Sequence, residues 1–194
     1  MIYIDEFLLI AIAHFFAVAS PGPDFAVVLK QSVHYGRHNA LWTSAGVGAA
    51  ILLHIAYCVL GVALVLTQSP SLFMALKYIA GAYLAYLGVQ ALRAAKPSNT
   101  SSEQTAKPSL AAESSWHAFR RGFFTNALNP KATLFFMSLF TLVISPTTPV
   151  IVQVGYGVYM ALATWAWFSI LSLMLSKARV RNFFQQSGYW FDRG

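Results

Sequence analysis

Ser20-Pro21-Gly22-Pro23-Asp24 interrupts an apolar run otherwise long enough to cross a bilayer, and Asn126-Ala127-Leu128-Asn129-Pro130-Lys131 repeats the interruption in the second half of the chain. Each proline removes a backbone donor and collides with the preceding helical turn, so neither stretch continues a regular helix. In hydrocarbon the freed backbone groups need local partners, and such a break persists only where it faces protein, water or a solute. An aspartate placed beside it is costly unless it is paired or functional.

The composition around these breaks is that of a membrane protein. Hydrophobic residues make up 57% of the 194 and charged residues 10%, with a mean hydropathy of +0.57, beyond what soluble domains use. The net charge of +7 does not indicate nucleic acid, because the basic residues lie between apolar runs rather than along one face. A single cysteine, Cys58, excludes an internal disulfide, a CxxC pair and a thiolate metal cluster. The run 7–19 has the length of a signal-peptide core, but Asp5-Glu6 precedes it where a basic flank is required. It is read as a retained first transmembrane helix.

Five spans are expected, at 7–29, 40–66, 72–92, 119–144 and 150–175. The second carries Gly46 and Gly48, and the third carries Gly81, Ala85 and Gly88 on one face. Such small faces allow close packing within the chain or in a homodimer. The polar, proline-bearing stretch 93–117 reads as a flexible loop. With alternate crossings, Lys30, Arg37, Arg93, Lys96, Lys107, Arg120, Arg121, Lys177, Arg179, Arg181 and Arg193 fall on one side, which is therefore expected to be cytoplasmic. The N-terminus is then outside, and the 93–117 loop and 177–181 are inside.

The fold class expected is an all-α integral membrane protein built from two inverted three-helix repeats with broken first helices. Residues 1–92 form the first repeat, 93–117 the loop, and 118–194 a second repeat read as truncated before its third helix.

Three blocks carry a family resemblance: Ser20-Pro21-Gly22-Pro23-Asp24-Phe25, Gly81-x-Tyr83-Leu84-x-Tyr86-Leu87-Gly88, and Gly122-Phe123-Phe124-Thr125-Asn126-x-x-Asn129-Pro130-Lys131-Ala132. In this order and hydropathic setting the chain resembles the LysE/RhtB amino-acid exporters, most closely the homoserine and threonine branch. The resemblance implies proton-driven export of small amino acids from the bacterial cytoplasm across the inner membrane, on inverted three-helix repeats. Members normally have a sixth helix after the stretch matching Tyr189-Trp190-Phe191-Asp192. The alternative expectation is a non-transporting membrane subunit or an inactive truncated fragment.

The candidate substrate-binding or coupling residues are Pro21, Gly22, Pro23, Asp24, Asn126, Asn129, Pro130 and Lys131. Paired breaks offer helix ends that suit both charges of an amino acid. Asp24 is a candidate for the substrate ammonium or the coupling proton, or an N-cap for a half-helix beginning at Phe25. Lys131 either meets the substrate carboxylate, pairs with Asp24, or snorkels to the cytoplasmic face. Asn126 and Asn129 are expected to cap backbone groups freed by Pro130 more than to touch substrate. His14 and His54 are expected to be structural, and Trp165, Trp167 and Phe168 to pack or face lipid. No serine–histidine, paired-carboxylate or metal-ligand constellation appears, so no enzyme, cofactor or metal is expected. The expected partners are a small amino acid, the proton and the lipid bilayer.

Overall fold

The computed structural model describes residues 2–93, 113–145 and 147–176. These form seven helices: α1 (Ile2–Ala19), α2 (Pro23–His34), α3 (Gly36–Gln68), α4 (Pro70–Arg93), α5 (Ser115–Ala127), α6 (Pro130–Leu142) and α7 (Val150–Leu175). The chain is an all-α membrane protein. Segments Gly36–Gly61 of α3 and Val150–Leu175 are each long and apolar enough to cross a bilayer, and α1 with α2 makes a third candidate span bent by 54°. The other two expected crossings correspond to α4, a helix of 24 residues, and to the pair α5–α6.

Both breaks fall where proline chemistry puts them. Gly22 is the N-cap of α2 in extended backbone and Pro23 opens the helix, where its missing N–H has no intrahelical role. Asn129 caps α6, with Pro130 next in line. The turn between α2 and α3 rests on Gly36, whose φ of 79° lies in the left-handed region that a side chain disfavours.

Helix α3 is the central post, packed most extensively against α5 and α7, while α4 lies on α6 and α2 touches α3, α5 and α7. The α3–α5 contact is backbone on backbone. A Cβ added at Gly46 would fall on the Phe119 carbonyl, and one at Gly122 on the Thr43 carbonyl. On the α7 side, Gly48 meets Trp165 and Gly157 meets Ile55. The small residues of α3 thus serve packing inside this chain. On α4 the approach is looser: a Cβ on Gly81 would meet Leu142 at 3.9 Å, and one on Gly88 meets nothing within 4 Å.

The core between α1, α3, α6 and α7 is filled by Ile10, Ile51, Phe136, Leu139 and Met160. A smaller cluster of Val28, Val47 and Phe168 joins α2 to α3 and α7. At one end, the buried Glu6 carboxylate accepts from Ser145 N (2.9 Å), Thr148 Oγ1 (2.9 Å) and Tyr156 Oη (3.2 Å). It ties α1 to the α6–α7 connection.

Most of the expected 93–117 loop and all of 177–194 lie outside the described residues. The final part of that loop differs from the expectation. Helix α5 starts at Ser115 because Ser114 acts as its N-cap, accepting from His117 N at 3.3 Å. Glu113 beside it is clasped by Gln31 (2.9 Å) and Arg121 (2.7 Å). A serine pair that reads as loop is here a helix start.

Candidate functional site

The breaks meet. Asn126, in the last turn of α5, donates from Nδ2 to Asp24 Oδ2 at 2.9 Å, and Asn129 Nδ2 donates to the same oxygen at 3.1 Å. In the opposite sense, Lys131 Nζ donates to the Ser20 carbonyl at 3.0 Å. Each break therefore contributes a charged side chain that the other holds.

Helix-end electrostatics account for part of this arrangement. Asp24 sits in the first turn of α2, where the free N–H groups favour a negative charge. Lys131 also sits in a first turn, that of α6, where a cation is disfavoured. It reaches instead to the C-terminal end of α1, whose exposed carbonyls carry the opposite partial charge. The lysine passes directly over Gly22, where a Cβ would stand in ordinary van der Waals contact, 3.6 Å from both Cδ and Nζ of Lys131.

Several expectations about single residues change. Asp24 is not the N-cap of a half-helix beginning at Phe25: the helix starts at Pro23, its N-cap is Gly22, and no side chain caps it. The carboxylate is instead turned toward the asparagines. Lys131 does not snorkel; it is drawn back to Ser20. Asp24 and Lys131 form no direct ion pair, Arg121–Glu113 being the one within 4.0 Å among the described residues. Asn129 does cap, its Oδ1 accepting from Lys131 N at 3.0 Å, while its amide nitrogen serves Asp24. Asn126 has no capping bond and points its amide at Asp24. Pro21 and Pro130 shape the backbone at the breaks without donating to the site.

A cavity lies against the clasp, walled by Asp24, Asn126, Asn129 and Lys131 at its polar end and by Phe135 and Phe168 among its apolar residues. Its volume is about 40 Å³, where one water needs roughly 10–15 Å³. Two buried oxygens of these lining residues, Asp24 Oδ1 and Asn126 Oδ1, accept no hydrogen bond among the described residues. Buried acceptors of this kind are uncommon and call for a donor.

Both intramembrane histidines touch this region. His54 shares hydrogen bonds with Tyr57 Oη (2.6 Å) and the Asn126 carbonyl (3.2 Å) and stacks on Phe136, so it braces the second break from α3. His14 shares a 2.9 Å hydrogen bond with Thr164 Oγ1, and both line the cavity. Thr164 has no counterpart among the sequence-derived candidates. A lone threonine within an apolar helix gives no signal. Phe168 reaches the cavity, whereas Trp165 is half exposed beside Gly48.

A family model described as LysE type translocator matches residues 15–191. The chain is similar to the threonine efflux protein of Escherichia coli K12, with 28% identity over 186 residues, covering 96% of this chain and 89% of that protein. It is also similar to a leucine efflux protein of Salmonella choleraesuis, with 36% identity over 137 residues, covering 69% of this chain and 61% of that protein. No solved structure matches it.

Proposed function

The chain belongs to the LysE type translocator family, and from that premise we propose that it exports small neutral amino acids such as threonine or homoserine from the bacterial cytoplasm across the inner membrane. The observation that carries this reading is the reciprocal clasp between Asp24 with Asn126 and Asn129 on one side and Lys131 with Ser20 on the other.

An amino acid presents an ammonium with three donors and a carboxylate with two acceptor oxygens. The ammonium finds Asp24 Oδ1 and Asn126 Oδ1, two of the buried acceptors without partners among the described residues. The carboxylate finds the Lys131 ammonium, one of whose three donors is engaged by Ser20. One acidic and one basic side chain sum to zero charge, so a zwitterion enters without leaving net charge in a medium where an uncompensated charge is expensive. A cationic amino acid would leave one. The similar proteins named for threonine and leucine efflux support a neutral substrate.

In this reading each break is both binding surface and hinge. Two inverted halves, 1–92 and 118–194, rock against each other so that the clasp opens first to the inside and then to the outside. Asp24 is the group that exchanges substrate ammonium for an inward-moving proton, which supplies the energy. The basic residues Lys30, Arg37, Arg120 and Arg121 mark the cytoplasmic side and leave the N-terminus outside.

Efflux decides the matter. Cells loaded with a threonine-containing dipeptide should release threonine faster with this chain than with an empty vector, and a protonophore should abolish the gain. No gain over the empty vector would contradict the proposal.

A further inference from the structure

We propose that His14 and Thr164 form the subsite that reads the substrate side chain, making the transporter select a hydroxylated amino acid over its apolar isostere. This rests on the exporter reading above and adds a specificity device to it.

His14 on α1 and Thr164 on α7 are 3% and 1% exposed, share a hydrogen bond of 2.9 Å, and both belong to the wall of the cavity. The imidazole ring is held by contacts with Phe135 and Tyr159, at centroid distances of 6.2 and 6.4 Å. It is therefore a fixed feature of that wall. Residue 14 precedes Ser20 by six positions, roughly 9 Å along a helix. A small hydroxy amino acid whose ammonium and carboxylate occupy the clasp holds its hydroxyl about 3 Å from the ammonium, and a hydrogen bond of about 3 Å at each end brings the total reach close to that distance. Between the two polar ends the α1 wall is apolar, with Ala17 and Val18.

The chemistry of the pair then discriminates. A neutral imidazole and a threonine hydroxyl can each donate or accept, so an incoming solute hydroxyl joins the pair without leaving a polar atom unpaired. A methyl in the same place makes no hydrogen bond to the pair, so the valine analogue gives up its own hydroxyl's bond and covers the pair's remaining hydrogen-bonding capacity without meeting it. Sites built to bond a substrate hydroxyl reject the analogue lacking it far more strongly than apolar pockets distinguish one methylene. Threonine and valine are the appropriate probes because they differ in shape hardly at all.

The test is efflux of L-threonine and of L-valine from proteoliposomes containing the full chain, compared as kcat/KM. Wild type should favour threonine at least tenfold, and Thr164→Val should bring the ratio to within threefold at unchanged abundance. Should Thr164→Val fail to accumulate, His14→Leu supplies the same ratio. His14→Gln, which keeps a donor and an acceptor, should retain the preference. A wild-type ratio below tenfold, a ratio unmoved by the substitutions, or loss of flux for both solutes at normal abundance overturns the proposal while leaving export itself standing. Wild type moving neither solute would instead remove the exporter reading, and this one with it.

Discussion

Asp24 and Asn126, 102 positions apart in the chain, join their side chains at 2.9 Å across the two helix breaks. Asn129 reaches the same carboxylate oxygen from the far side of the second break. Neither half of the molecule contains a complete site. The acid comes from the first break, the amides and the lysine from the second, and the carbonyl that holds the lysine from the first again. A movement of one break relative to the other would remake the site, which is what the proposed alternating access requires.

Lys131 separates a structural from a binding role. Its Nζ satisfies the Ser20 carbonyl at the end of α1, and Lys131→Gln keeps a donor for that carbonyl while losing the charge. Abundance in the membrane should stay near normal while KM for threonine rises at least tenfold. Lys131→Met removes the donor as well and should also lower the melting temperature in detergent, since the partly buried Ser20 carbonyl loses a hydrogen bond worth about 0.5–1.5 kcal/mol.

The backbone contact between α3 and α5 predicts sharp intolerance at two glycines. Gly122→Ala and Gly46→Ala each drive a methyl into a carbonyl of the facing helix. Overpacking typically costs about 1–3 kcal/mol and more where backbone must move, so folded protein in the membrane should fall severely. Gly61→Ala and Gly155→Ala meet nothing within 4 Å and should leave abundance unchanged or slightly raised. Membrane immunoblots with thermal unfolding in detergent measure both.

The local parts of the fold were legible in the sequence, and the destinations of side chains were not. Proline and glycine act on the backbone beside them, so Pro21, Gly22, Pro23 and Pro130 mark the breaks without any knowledge of the rest. Apolar length likewise reveals α3 and α7. Asp24 looked equally suited to capping its own helix. The deciding fact is that Gly22 takes the N-cap in extended backbone and leaves the carboxylate free for Asn126 and Asn129. Lysine in a span ordinarily snorkels, and only the position of the α1 C-terminus explains why Lys131 turns inward. The His14–Thr164 bond links positions 150 apart. No spacing rule reaches that far, and the same holds for the joining of Glu6 to Thr148.

Glu6 should act as a staple at the end of the molecule remote from the α2–α3 turn. Its carboxylate takes hydrogen bonds from Ser145, Thr148 and Tyr156, and Glu6→Gln replaces one acceptor oxygen by a donor. Stability in detergent should drop by about 1–3 kcal/mol. Thr148→Val should cost much less in the Glu6→Gln background than alone, with a coupling of about 0.5–3 kcal/mol between directly bonded groups. Additive losses would mean that the two residues act independently.

The central claim is that Asp24, held between Asn126 and Asn129, receives the substrate. Its most direct test is counterflow of radiolabelled L-threonine into proteoliposomes preloaded with unlabelled threonine, comparing wild type with Asp24→Asn at matched protein content. Counterflow needs no imposed proton gradient, so it reports the binding site rather than the energy source. Wild type should show saturable uptake and Asp24→Asn at least a tenfold loss, because the amide removes the anionic partner of the ammonium and sets a third amide against the two already there. Undiminished counterflow in Asp24→Asn would contradict the claim.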